Sequence, residues 1–127
     1  MALLGIDLGT SSVKVIIVDT QGRTLSVSKA NYTVMAPQPG WSESDPNEWW
    51  SAIVSAVQTA MGQVPRVEIT AIGLSGQMHG VVLLDEEGLP IRAAMLWADT
   101  RAQAELEHYR MLPASLLEHL ANPLVPG

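Results

Sequence analysis

With 127 residues, 47% hydrophobic and 16% charged, the chain has the composition of one packed globular domain and not of a disordered protein. A formal charge of −6 argues against a nucleic-acid-backbone binder, which needs a basic face, but not against a nucleotide ligand, whose phosphates magnesium and backbone amides can neutralise. It has no cysteine for a disulfide or thiolate metal site, no apolar run near the roughly 20 residues of a membrane span, and no basic n-region ahead of MALLGID, so a cytoplasmic address is expected.

Residues 2–6 and 12–19 read as a β-hairpin around Gly9, Thr10, Ser11 and Ser12. Gln21-Gly22 turns the chain into a third strand near 24–34, where LSVSKANYTV alternates only in part, as a half-exposed or edge strand does. The stretch APQPGWSESDP is an irregular crossing loop. It leads into a helix with Asp45 as N-cap, Pro46 at the first position and Glu48 placed as in a capping box. Trp49, Trp50, Ile53, Val57, Ala60 and Met61 recur at helical spacing, which predicts one buried face with both tryptophans in the core; Gly62 and Pro65 end the helix. VEITAIGLSG, residues 67–76, is near-continuously apolar and predicts a central strand. After the break at QMHG, VVLLD (81–85) predicts the next strand and AAMLW (93–97) a short further one. From about Thr100 the chain reads as helical, with Thr100 and Gln103 as a second capping box, and Pro113 opens one more short helix before ANPLVPG. The order β-β-β-α-β-β-α predicts an α/β fold in which three antiparallel strands and a helical crossover build a mixed sheet with helices packed on it. It is not the strict alternation of a Rossmann unit.

Asp7 is a carboxylate at the rim of two apolar strands, beside a turn of glycine and hydroxyls. P-loop spacing is absent, and β-branched Val13 and Val15 to Val18 demand a strand where a Rossmann fingerprint would open a helix. Two readings fit. Successive N–H groups at Gly9 to Ser12 can form a nest for phosphate, with Asp7 holding a hydrated magnesium ion, which takes only one or two carboxylates. Equally, this is a plain hairpin whose acid is a turn residue. In GQMHG, Gly76 and Gly80 let a ligand approach the backbone, and the strand break turns Gln77, Met78 and His79 out of the sheet. A neutral imidazole offers one donor and one acceptor, which suits sugar hydroxyls; a solvated loop histidine is the alternative. Lys14 reads as a snorkelling rim lysine, with a phosphate contact from beside the hairpin as the alternative, and His108 and His119 have no partner at metal spacing.

GIDLGTSSVKV resembles the first phosphate-binding hairpin of the actin-like ATPase (ribonuclease H-like) superfold, shared by sugar kinases and the 70-kilodalton chaperones. GWSESDPNEWW, GLSGQMHG and LWADTR, in that order, narrow the resemblance to the FGGY carbohydrate kinases. Met-His inside GQMHG is most similar to their xylulokinase branch, whereas a glycerol kinase is expected to show Arg-Glu there. The resemblance covers nearly the whole chain. It implies a truncated actin-like α/β fold, with residues 1–127 the N-terminal part of the first domain and the second domain absent. It implies ATP-dependent phosphorylation of D-xylulose to D-xylulose 5-phosphate, with ATP and Mg2+ required. Carried over, Asp7 positions magnesium and phosphate through water, and Gly9, Thr10, Ser11 and Ser12 bind the nucleotide phosphates. Gln77, Met78, His79, Trp97 and Asp99 contact the sugar, and Arg101 pairs with Asp99 or a ligand oxygen.

The catalytic base and adenine pocket of such kinases lie downstream of these motifs. The fragment alone is therefore expected to be inactive, with the remainder of the kinase chain as its partner, and relatives of this kind often form homodimers. An incomplete domain leaves an apolar sheet face uncovered. The alternatives are another FGGY substrate (a different ketose or a sugar acid), a non-catalytic sugar- or nucleotide-binding module, and an actin-like or chaperone ATPase, which has no use for a sugar-facing GQMHG.

Overall fold

Alternation of Val13, Val15 and Ile17 with Lys14 and Ile16 gives residues 12–19 one wholly buried and one open face. In the computed structural model, which describes residues 1–119, this segment is β2 (Ser12–Asp19), flanked by β1 (Ala2–Leu8) and β3 (Thr24–Asn31). Then come β4 (Glu43–Ser44), α1 (Pro46–Gln63), β5 (Ile69–Gly76) and β6 (Ala94–Met95). A 3-10 turn over Arg101–Gln103 and two short helices, α2 (Leu106–Arg110) and α3 (Ala114–Leu117), follow. The main sheet runs β3-β2-β1-β5. Its first three strands are antiparallel in sequence, and β5 returns parallel to β1 after α1, so the expected mixed sheet with a helical crossover is what forms. β4 and β6 pair as a separate two-stranded sheet.

The core lies between α1 and the first three strands. Val13, Val15 and Ile17 meet Ala52, Ala56 and Ala60, with Ala2, Leu4 and Tyr32 completing the cluster. Alanines on the helix let it sit close to the sheet, close enough for two buried serines of β3 to reach helical carbonyls. Ser28 Oγ donates to the Ala56 carbonyl at 2.6 Å and Ser26 Oγ to the Ala60 carbonyl at 3.0 Å. Buried hydroxyls thereby stay satisfied in an otherwise apolar layer. α1 is capped as expected: Asp45 is extended and its Oδ1 accepts from the Asn47 N–H at 2.8 Å.

Several expectations are corrected. β1 continues through Leu8, because Asp7 pairs with Lys14 on one side and Ser75 on the other, so Asp7 stands inside a strand and not at its rim. β3 stops at Asn31, short of residue 34. β5 is an edge strand among the described residues, pairing with β1 alone, and Ile72 and Leu74 stay exposed. VVLLD does not make a sheet strand. Only isolated bridges form there, Val81 with Met95 and Leu84 with Pro90, and proline has no N–H with which to continue a ladder. AAMLW contributes Ala94–Met95, but to β4 and not to the main sheet. Trp49 is half-buried, whereas Trp50 is 67% exposed, because the inward ridge of α1 is the alanine row. Glu48 does not close a capping box; it accepts from the Thr33 N–H at 2.9 Å instead. Thr100 makes no side-chain cap and donates its hydroxyl to the Gly40 carbonyl, so the helix expected from Thr100 becomes a 3-10 turn and the short α2, while the further short helix expected after Pro113 forms as α3. ANPLVPG lies outside the described residues. Among the described residues no helix is long and apolar enough to cross a membrane.

Candidate functional site

The first wall of the site is the β1–β2 turn. The Gly9 N–H donates to the Ser12 carbonyl at 3.0 Å, and a Cβ on Gly9 would sit 3.1 Å from that same oxygen, which is why the turn takes glycine. Tyr32 clamps the turn from the end of β3: its hydroxyl donates to the Gly9 carbonyl and its N–H to the Ser11 carbonyl. Burial raises the Tyr32 pKa, with the Asp7 carboxylate adding to the effect, so the phenol stays protonated as this donor role requires. Asp7 itself is exposed at the cleft, and among the described residues no side chain pairs with its carboxylate. A lone, unpaired carboxylate beside the glycine-hydroxyl turn fits water-mediated magnesium, which keeps most of its own shell; the described residues hold no cluster of three potential metal ligands.

The second wall is the loop after β5. The Gln77 N–H donates to the Leu8 carbonyl at 2.8 Å, and Val81 exchanges two backbone bonds with Met95 at 2.8 and 3.0 Å, so the loop is tied at both ends. A Cβ on Gly80 would lie 3.1 Å from the Met95 carbonyl, too close for comfort at a bonded ladder end. Between the ties, His79 has φ of 64°, a left-handed conformation that few non-glycine residues adopt. Strain of this kind persists where surrounding structure fixes it, commonly at functional sites. Both polar atoms of the Gln77 side-chain amide are buried and, among the described residues, unpaired. A buried unpaired amide costs free energy and marks a group waiting for a partner.

The third wall carries Trp97, about half exposed, whose Nε1–H donates to Thr10 Oγ1 at 3.0 Å. Together Asp7, Gly9, Thr10, Gly76, Gln77, Met78, His79 and Trp97 line an open cleft of about 350 Å³. Sequence reading named all of these, Gly76 as a glycine that lets a ligand approach the backbone. The hydroxyls of Ser11 and Ser12 are not among the lining groups.

Asp99 is placed elsewhere. It is 2% exposed, and its carboxylate accepts from the Ser42 N–H, the Arg101 N–H, and Arg101 Nε and Nη2 at 2.6–3.0 Å. Arg101 Nη2 also reaches Glu43 Oε1 at 2.7 Å, Arg92 meets the same oxygen, and the Arg101 guanidinium lies 3.6 Å from the Trp41 ring centroid. The Arg101 hydrogen bonds hold the Asp99 carboxyl well below the usual carboxylate range, and the same contacts push the guanidinium further up. Asp99 and Arg101 thus brace the turn that bears Trp97 and do not line the cleft. Sequence reasoning missed Glu43 and Tyr32 as parts of this site. Glu43 opens the two-residue strand β4, and its basic partners lie 49 and 58 residues away, so no local pattern announces it.

Residues 2–123 match a family model described as the FGGY family of carbohydrate kinases, N-terminal domain. Over 127 residues the chain is 36% identical to a xylulose kinase of Staphylococcus xylosus, covering 98% of this chain and 26% of that protein. It is 43% identical over 102 residues to a xylulose kinase of Escherichia coli strain K12, covering 80% of this chain and 21% of the relative. A crystal structure described as a xyloylose kinase from Brucella ovis superposes with a TM-score of 0.81 at 41% identity, over 87% of this chain and 24% of that one. The chain therefore spans about a quarter of the length of the relatives it matches.

Proposed function

The chain belongs to the FGGY family of carbohydrate kinases, with its actin-like ATPase fold, and from that premise we propose that it is the N-terminal part of the first domain of a kinase transferring the γ-phosphoryl of ATP to D-xylulose, giving D-xylulose 5-phosphate. One observation carries this reading: an unpaired carboxylate with its glycine-hydroxyl turn, and a strained Met-His loop far from them in sequence, converge on one cleft. Phosphoryl transfer relies on positioning and electrostatics, with little covalent work for the protein. The Gly9 N–H is committed to the Ser12 carbonyl, so the donors for the phosphates are the backbone amides of Thr10 to Ser12 and the Thr10 hydroxyl. Asp7 would hold Mg2+ through its water shell, and the ion would supply charge neutralisation between the phosphates. His79 and Met78 face the sugar, with the ring of Trp97 packing beside it, and the unpaired Gln77 amide finds its donor and acceptor partners in the bound substrate. The base that takes the hydroxyl proton, and the adenine pocket, belong to the remainder of the kinase chain, so the 127-residue piece alone has no kinase activity.

A coupled assay of the kinase that carries this chain tests the reading, with D-xylulose, D-ribulose, gluconate and glycerol as competing acceptors. D-Xylulose is expected to give the highest kcat/KM. Asp7→Asn is expected to lower kcat by roughly 10²- to 10³-fold, the usual effect of removing one electrostatic partner of a transition state, without changing the melting temperature, since the side chain is exposed. Sugar-independent ATP turnover, or an Asp7→Asn enzyme with wild-type kcat, would overturn it.

A further inference from the structure

Trp97 bridges two walls of the cleft, its indole Nε1–H donating to Thr10 Oγ1 across 87 residues of sequence. We propose that this hydrogen bond couples sugar binding to phosphate binding: Trp97 is a positioning residue that aims the Thr10 hydroxyl at the nucleotide when a sugar packs on its ring. This rests on the kinase reading above and assigns one contact within it.

An indole N–H can only donate, so the Thr10 oxygen must be the acceptor, and the hydroxyl's own proton is left to donate elsewhere. Phosphate oxygens only accept. A hydroxyl whose polarity is fixed in this sense is ready for them, and accepting one hydrogen bond strengthens the one it donates. The turn bearing the ring is tied down by backbone hydrogen bonds. Leu96 is buried and its N–H donates to the Ser42 carbonyl at 2.9 Å, the Asp99 N–H returns to the Leu96 carbonyl at 2.9 Å, and Thr100 N–H holds the Gly40 carbonyl at 2.7 Å. These bonds restrain the backbone of the turn, whereas the half-exposed ring is held, among the described residues, by a single hydrogen bond, to Thr10, and keeps rotamer freedom. A sugar resting between Trp97, Met78 and His79 takes away that freedom and holds the N–H on Thr10. The entropy of fixing the ring is then spent on the first ligand, and the second binds a turn whose donor is already set.

The test is a mutant cycle on the kinase that carries this chain, reading the dissociation constant of ADP with and without saturating D-xylulose. Wild type is expected to bind ADP about fivefold more tightly with sugar, the low end for coupled sites. Trp97→Phe, which keeps an aromatic ring but lacks the donor, and Thr10→Val should each bring that ratio to about one, and the double variant should lose nothing more. Thr10→Ser should keep the wild-type ratio. A Trp97→Phe enzyme with the full ratio, losses that multiply in the double variant, or a wild-type ratio of one would overturn the coupling. Turnover separates the two readings. If wild type phosphorylates D-xylulose while its ratio is one, only the coupling falls; if it transfers no phosphoryl to any sugar, both fall.

Discussion

The layer beneath α1 and the wall formed by residues 40–43 and 94–101 each have a buried interior, held together by different chemistry. Under α1, Val13, Val15 and Ile17 pack against alanines, and the polar atoms there are serine hydroxyls already spent on helix carbonyls. In the wall, Leu96 and Ala94 are buried beside Glu43, Asp99 and Arg101, and an ion cluster links segments that share no long strand. Apolar packing holds the fold whatever the pH. Paired charges hold the site wall only while they stay ionised, and they fix orientation better than they add stability. Cutting into each region separately is the way to break this contrast.

The largest effect belongs to the packed layer. Ile17 is fully buried, and Ile17→Ala removes methylenes from a layer closed by the helix, so it should cost about 2–5 kcal/mol. Urea denaturation of the 127-residue chain followed by far-UV circular dichroism measures it. A loss under 1 kcal/mol would mean that the helix settles onto the gap and that the layer is not tightly packed.

How far the sequence revealed all this follows the same division. Strand β2 and the α1 cap were legible because their causes are local: β-branched neighbours in one case, Asp45 two residues from the amide it accepts in the other. The Met-His loop was legible as a break, although its convergence with the hairpin came only through family resemblance. The wall was not legible. Thr100 looks like a helix cap, yet its hydroxyl is used by Gly40, 60 residues earlier. Asp99 reads as a cleft residue through the family resemblance, whereas the turn after Trp97 sends its carboxylate inward to Arg101. β5 read as central because it is apolar on both faces, and in the described residues one of its edges is bare. Pairings between distant segments leave no periodic trace.

Acid should separate the two regions. The Asp99 carboxyl is held below its ordinary value of 3.8, first by its hydrogen bonds from Arg101 and then by the Ser42 N–H. A carboxyl depressed in the folded state contributes stability that is present above the unfolded value and lost as pH falls through the folded one. The wall should therefore loosen below about pH 4, while the layer of Val13, Val15 and Ile17 has nothing to titrate. Two-dimensional NMR follows the Trp97 indole N–H and the β2 amides in one titration. The indole resonance should shift at higher pH than the amides lose protection. Coincident changes would show that wall and core unfold as one unit and that the contrast is false.

The smallest effect falls on two adjacent residues that the helical spacing treats alike. Trp49 Nε1–H donates to Ser44 Oγ at 2.8 Å, and its ring lies 6.4 Å from that of Tyr32, centroid to centroid. Ser44 is itself fully buried and gives its own proton to the Thr33 carbonyl. Trp49→Phe leaves that oxygen short of a donor and should cost about 0.5–1.5 kcal/mol, the net value of one hydrogen bond. Trp50 points to solvent, so Trp50→Ala should fall within about 0.5 kcal/mol of wild type. Measured side by side by urea denaturation, the pair tells whether the polar stitching of β4 to α1 adds stability or merely accompanies the alanine packing. Equal costs for the two would assign α1's hold on the sheet to its alanines and to the β3 serines, and would leave β4 held by its backbone pairings with β6 and Met35 and by the ion cluster.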